Sequence, residues 1–590
     1  MPGRHNVLAD IQTILSDRFA SAIIAVLGDK YAATDPLLKV SSNPKFGDYQ
    51  ANVAMGLGRQ LKTKPRVLAE QIVEKLDLED ICEDPQVAGP GFINLIFRSD
   101  FLIRQLQSLA GDKHLGVVRA ESPQSVVIDY SGPNVAKEMH VGHIRSTIIG
   151  DCITRVLDAL GHRVIRQNHL GDWGTQFGMM IEYLVDQGLE PHTPLPLDIP
   201  DLDEFYRLAK LQFDADEGFA NRARRRVISL QQGDTDTAWF YAQLVSESQK
   251  HFRQVYQRIN VGLTDNDVRG ESAYNEALPQ VISALDAGGH LEQSQGARVV
   301  FPDGFKDRNG DPLPLIVQKS DGGYLYATTD LAAVRFRVQE LEADRIIYVT
   351  DARQAQHFAM VFAVARQAGW LPDTVRVEHV PFGTILGKDK KPFKTRQGGT
   401  VKLVGLLDEA EKRAAAIIEQ KNPDLSPDIQ KQIAHTVGIG ALKYADLSSD
   451  RIKDYVFDWD RMLALEGNTA PYLQNAYVRI RSIFRKGNVD SDQCQGRTIS
   501  VAESAERSVT IKLLQFPGVV AAVADSLEPH RLCTYLYELA SSFHQFYENC
   551  PVLTAPDQAT RDSRLYLCDM VSHTLKRGLH LLGIGVIEQM

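Results

Sequence analysis
The run SVVIDYSGPNVAKEMHVGHIRSTIIGD, Ser125 to Asp151, decides how the chain is read. Its first part, SVVIDYS (Ser125–Ser131), is a short apolar segment of the kind buried on both faces of a parallel sheet. Gly132 and Pro133 then mark a turn, and helical periodicity begins near His140 and continues to about Leu160. Helix N-termini gather unpaired N–H groups and positive dipole, so this strand–turn–helix junction is suited to anions. His140 and His143, at i and i+3, share a face and can donate hydrogen bonds to a phosphate. Gly142 removes a side chain where a flat base could approach the backbone. Two closely spaced histidines also suit a metal, but zinc wants further ligands of matching type and no cysteine pair lies nearby. As an isolated string, HxGH leaves a nucleotide role and a structural role open.

Outward from this stretch, strands and helices alternate. HRVIRQNHL (162–170) reads as a strand before the loop GDWGTQFG, followed later by RIIYVTD (345–351), a helix over about 355–368, and VRVEHVPFG (375–383). Such alternation predicts an α/β, Rossmann-like doubly wound parallel sheet. This unit is assigned to residues 116–405, with the charged, mostly helical stretch 185–290 as an insertion. Residues 1–115 read as a small α/β domain in which VAGPGFINLIF (87–97) is a strand entered through a Gly-Pro-Gly turn. From about Leu403 helical periodicity dominates without a strand, as a connection over 406–455 and an all-α bundle over 456–590.

The 590 residues carry a net charge of −10, which argues against loose, nonspecific binding to nucleic acid. A specific RNA partner remains open, because local clusters such as Arg222–Arg226, Lys388–Arg396 and Arg479–Lys486 can meet phosphates. The six cysteines (Cys82, Cys152, Cys494, Cys533, Cys550 and Cys568) form no CxxC pair, so neither a disulfide framework nor a metal site is expected. The N-terminus reads as an amphipathic helix rather than a signal peptide, and no run of about 18 apolar residues occurs. A soluble, cytoplasmic protein with no membrane partner is expected.

The longer string SGPNVAKEMHVGHIRSTIIGD closely resembles the ATP site of arginyl class I aminoacyl-tRNA synthetases. The resemblance implies ATP-dependent activation of L-arginine and its transfer to the 3′ end of tRNA(Arg). It gives Asp129, Asn134, His140 and Gln354 to the amino-acid backbone groups. His140, Gly142, His143 and Lys137 fall to ATP. Tyr326 and Asp330, in YLYATTDLAA, match the family's guanidinium-holding pair, and Glu271, in DVRGES, matches a further carboxylate. These two residue types suit a guanidinium, whose fork of donors needs placed acceptors.

FGTILGKDKKPFKTRQGGTVKL (Phe382–Leu403) fits the mobile basic loop of the class but departs from its usual KMSKS. Lys394 and Arg396 stand near the corresponding place, and Lys137 is the substitute cation that the resemblance favours. NPKFGDYQANVA (43–54) looks like the family's N-terminal domain, which contacts the tRNA elbow. LALEGNTAPYLQNAYVRIRSIFRK (463–486) resembles its anticodon-binding domain, with Tyr472, Tyr477, Arg479 and Arg481 as candidate tRNA contacts. At helical spacing such aromatics are more often core. Mg²⁺ is expected to accompany ATP, and the enzyme is expected to act as a monomer without DNA. The rivals are a synthetase for another amino acid, a noncatalytic tRNA-binding paralogue, or an adenylate-forming enzyme without tRNA.

Overall fold
Ser125–Asp129 forms the first strand (β1) of a four-stranded parallel sheet. The computed structural model describes residues 10–41, 43–109, 112–135, 137–193, 202–393, 401–490 and 499–590. After β1 come the helix Val141–Ala159 (α1) and the strand Arg163–Gln167 (β2). Beyond the insertion follow Tyr326–Gln339 (α2), Arg345–Asp351 (β3), Ala355–Gln367 (α3) and Arg376–Phe382 (β4). The spatial order is β4-β3-β1-β2, with every pairing parallel. The chain therefore runs outward from β1, crosses back, and runs outward again from β3. The direction reverses between β1 and β3, where such sheets open a crevice beyond the strand ends.

The apolar run needs no alternation because both faces are covered. Val126 and Ile128 join Ile347, Val349 and the α1 residues Ile148 and Cys152 in one core. Val127 joins Ile346 and Tyr348 with Leu331 and Val334 of α2 and Val361 of α3 in the other. Period-two strand geometry sends successive side chains to opposite faces, which makes one strand part of two cores.

The N-terminal part is a four-stranded antiparallel sheet with helices including Ile11–Leu27 and Pro65–Lys75. Its reading needs a correction: VAGPGFINLIF is a hairpin of Gln86–Ala88 and Phe92–Leu95, not one strand after a turn. Gly89 (φ 53°) and Gly91 (φ 138°) make the turn between them, and a Cβ on Gly91 would lie 2.8 Å from the Pro65 carbonyl carbon. The insertion is helical at Leu202–Ala215, Glu217–Gln231 and Thr235–Arg258. A three-stranded antiparallel sheet (Glu292–Ser294, Ala297–Val300, Leu315–Gln318) then precedes α2; its strands are too short to show a period.

The stretch read as wholly helical from Leu403 also contains a strand. Tyr455–Val456 pairs in parallel with Ile385–Leu386. The C-terminal bundle includes Ala470–Gly487, His530–Asn549 and Gln558–Leu581. Residues 504–526 hold a window with mean hydropathy 1.3, but they divide at Gln515 into two helices that pack in the bundle. The N-terminal domain docks on this bundle: Arg507 donates to Asp48 and to the Phe97 carbonyl, and Gln515 donates to the Tyr49 hydroxyl at 2.9 Å.

Candidate active site
The turn after β1 is held from several sides. Ser131 has φ 74°, a conformation costly for a residue with a side chain, and the surroundings fix it. Its N–H donates to Ser146 Oγ at 2.9 Å, and its Oγ accepts from Thr147 at 2.9 Å. Asn168, just beyond β2, accepts the Gly132 N–H at 3.0 Å. The loop is thus braced by α1 and the next strand before any substrate arrives.

His140 is the cap of α1 rather than a first-turn residue. Its Nδ1 accepts the Gly142 N–H at 3.0 Å, and its own backbone N–H donates to His143 Nδ1 at 3.0 Å. The two rings stack with centroids 3.8 Å apart. Burial, and then the neighbouring His140, push the His143 pKa down to about 3. A neutral imidazole whose Nδ1 accepts carries its proton on Nε2, so His143 is a fixed donor near neutral pH. Gly142 has a reason the sequence did not give: a Cβ there would sit 2.9 Å from Cε1 of His140.

The opposite wall is acidic. Tyr326 and Asp330 lie one turn apart at the start of α2. His357 Nε2 lies 2.6 Å from Asp330 Oδ2. Glu271 opens a 3-10 helix, and burial, then the Asp172 and Asp330 carboxylates, raise its pKa to about 8. Asp129 pairs with Arg337 at 2.6 Å, and the fully buried Arg337 also donates to Gln167 at 2.6 Å. Removing either member would strand a buried charge.

Glu271 is held in place by its neighbours. Its N–H donates to the Leu170 carbonyl at 3.0 Å, and the Arg269 N–H donates to Asn168 at 3.1 Å. Asp172 Oδ1 accepts the Ser272 N–H at 2.8 Å, while Oδ2 accepts from Ser272 Oγ at 2.7 Å and Tyr241 at 2.9 Å. A Cβ on Gly270 would lie 2.1 Å from Asp172 Oδ2, so only glycine permits this approach.

One cavity of about 610 Å³ is lined by Asp129, Asn134, His140, Gly142, His143, Glu271, Tyr326, Asp330 and Gln354. His357 and Asp351 line it too, and sequence reasoning named neither for the site. His357 stood within the quoted segment DARQAQHF, but nothing in the sequence joins it to Asp330. Asp172 stood in the loop GDWG without a visible partner.

Other candidates lie elsewhere. The Lys137 ammonium rests 4.3 Å over the Tyr206 ring of the insertion, and Lys137 does not line the cavity. The assignment of Lys137 to ATP thus finds no support in this conformation, because its cation is engaged by an aromatic face. Lys394 and Arg396 lie outside the described residues. In the bundle, Tyr477 is 3% exposed and its hydroxyl donates to Glu588, and Tyr472 bonds His544 at 2.8 Å. The Tyr477 ring is thus buried in the bundle, while the half-buried Tyr472 ring packs against Tyr537 and His544. Arg481 pairs with Glu588 at 2.9 Å, whereas Arg479 lines a second cavity of about 530 Å³ beside Lys486 and Tyr547.

Three family models tile the chain. "Arginyl tRNA synthetase N terminal domain" matches residues 11–97, "tRNA synthetases class I (R), catalytic domain" matches 105–459, and "DALR anticodon binding domain" matches 473–590. A Synechococcus arginine–tRNA ligase is 51% identical over 98% of this chain and 99% of its own length. Its counterpart from Laribacter hongkongensis is also 51% identical, over 98% and 99%. The Plasmodium falciparum arginyl-tRNA synthetase structure superposes with TM-score 0.83 at 30% identity, covering 98% of this chain and 99% of its own. The Thermus thermophilus enzyme gives 0.82 at 25% identity, over 98% and 100%. The braced HxGH cap and acidic wall thus sit in a chain that matches from end to end, and it belongs to the arginyl class I tRNA synthetases.

Proposed function
We propose that the cavity at the β1/β3 switch point is where this arginine–tRNA ligase joins arginine to ATP and then to tRNA. The arginine carboxylate attacks the α-phosphorus of ATP, forming arginyl-adenylate and releasing pyrophosphate. A ribose hydroxyl of the terminal tRNA adenosine then takes the arginyl group, and AMP leaves. The protein's work is positioning and charge stabilisation rather than covalent chemistry.

The observation that carries this reading is the pairing of opposite walls. Asp330, Glu271 and Tyr326 offer acceptors for a guanidinium on one side, and the neutral His143 imidazole stands with His140 at a helix N-terminus on the other. In this reading His143 donates to phosphate oxygens, and His140 serves both ATP and the amino acid. Gly142 leaves room for the nucleotide, and Asp129, Asn134 and Gln354 hold the α-amino and carboxylate groups. Mg²⁺ would enter with ATP as substrate and offset the charge of its phosphates. The cation for the triphosphate comes from Lys137 or from the Lys388–Arg396 segment.

The bundle, with Arg479 and Lys486 at its cavity, would meet the anticodon arm, and the N-terminal domain the tRNA elbow. Action as a monomer in the cytoplasm is part of the same reading; the five described cysteines, all free and buried, are compatible with a reducing compartment. The test is esterification of a tRNA(Arg) transcript with labelled arginine, lysine or citrulline. Arginine alone should be charged, because lysine lacks the planar fork and citrulline the charge. Charging with either analogue at a comparable kcat/KM would overturn the specificity assignment.

A further inference from the structure
A separate cavity of about 340 Å³ lies where three parts of the chain meet. His114 and Arg119 come from the segment before β1, Arg155 and Arg166 from the catalytic domain, and Arg577 and His580 from the last helix. It borders the C-terminal half of α1, whereas the HxGH motif caps its start. At roughly 1.5 Å per residue, the ends of this 19-residue helix are about 28 Å apart, so the two cavities are distinct.

Charge in this cavity is not balanced. Arg155 pairs with Asp151 at 2.7 Å, and Arg166 pairs with Asp158 at 2.6 Å. Among the described residues, Arg119 and Arg577 have no ion-pair partner. The half-buried Arg577 also holds a buried Nε without a hydrogen-bond acceptor. Burial lowers its pKa, and no carboxylate pulls the other way. His580 is held below its ordinary range by burial and by Arg155 and Arg577, which outweigh the opposing pull of Asp151. A buried guanidinium Nε without an acceptor, beside an open cavity, is costly unless an anion at the cavity wall completes it. The fork of Arg577, with Arg119 at the rim, suits tetrahedral oxyanions.

We propose that this junction cavity binds a phosphate group through Arg577 and Arg119. The group is either a free phosphate or a backbone diester of tRNA. Only the second source rests on the function proposed above. A phosphate bridging these three segments would tie the interdomain linker, the catalytic helix α1 and the final helix together.

Calorimetric titration of the full chain with inorganic phosphate tests this, with a non-cleavable ATP analogue and arginine filling the catalytic cavity. Wild type should bind, and Arg577→Gln should weaken binding at least about tenfold, the scale for a hydrogen bond to a charged group. Arg119→Gln, at an exposed position that leaves the core intact, should weaken it in the same direction and keeps the test valid if Arg577 variants fold poorly. In parallel, tRNA binding is followed against salt. A slope reduced by about one in either variant identifies a tRNA diester as the source. An unchanged slope with lost phosphate binding identifies a free phosphate. Phosphate affinity and salt slope both equal to wild type in the two variants would overturn the proposal.

Discussion
Asp330 shows how far a single residue can be read. Its place one helical turn after Tyr326 was visible in the sequence, and both line the cavity. Its contact with His357 was not visible, because 27 positions separate them and only the packing of α3 beside α2 brings them together. Asp330→Asn should raise the arginine KM and lower kcat/KM by well over about tenfold, since a lost charged acceptor is worth roughly 1.5–3 kcal/mol. Unchanged kcat/KM would remove Asp330 from the pocket. His143→Ala should slow adenylate formation by roughly 10²–10³, the scale for one preorganised donor, as measured in a single turnover. Glu271 adds a pH signature. With a pKa near 8 in the free site, it is mostly protonated at neutral pH, and a bound guanidinium favours its ionised form. The arginine KM should therefore fall as pH rises from 7 through about 8 and then level off. In Glu271→Gln that decline should vanish, and its persistence would assign the titration elsewhere.

Elements were legible where they were long. The helix after His140 and the strands RIIYVTD and VRVEHVPFG have enough residues to display a pattern, and the sheet follows from their alternation. The hairpin at Gly89–Gly91, the three short antiparallel strands before α2 and the Tyr455–Val456 strand did not. With two to four residues each, they exist because of their partners rather than their own periodicity. The segment 268–272 is a further case, since its shape comes from its union with residues 168–172 and from Asp172. Asp172→Asn replaces one acceptor oxygen with a donor among three donors. The arginine KM should rise about tenfold while the ATP KM stays put. An effect confined to kcat, or shared by both substrates, would show that Asp172 does not act by placing Glu271. Gly142→Ala should disturb the His140 ring and the α1 cap together, raising the KM of both ATP and arginine in steady-state charging, and unchanged values for both would remove the His140 ring from the site.

At the scale of the molecule, the sequence indicated an N-terminal α/β part, a parallel-sheet core and a helical C-terminal bundle. It could not indicate that the first and last parts touch. Asp48 and Arg507 meet across most of the chain, as do Tyr49 and Gln515, and no local pattern encodes such pairs. Arg507→Ala should loosen this docking by about 1–2 kcal/mol, because the pair is only partly exposed. Limited proteolysis should then cut faster near residues 110–120, and cleavage at the wild-type rate would argue against a fastening role. The central claim is that the braced cavity forms arginyl-adenylate. ATP–pyrophosphate exchange tests it most directly, measured with arginine, lysine and citrulline, each with and without tRNA(Arg). The account predicts exchange with arginine alone. Exchange only when tRNA is present would add that tRNA completes the site. Exchange driven by another amino acid, or none under any condition, would contradict it.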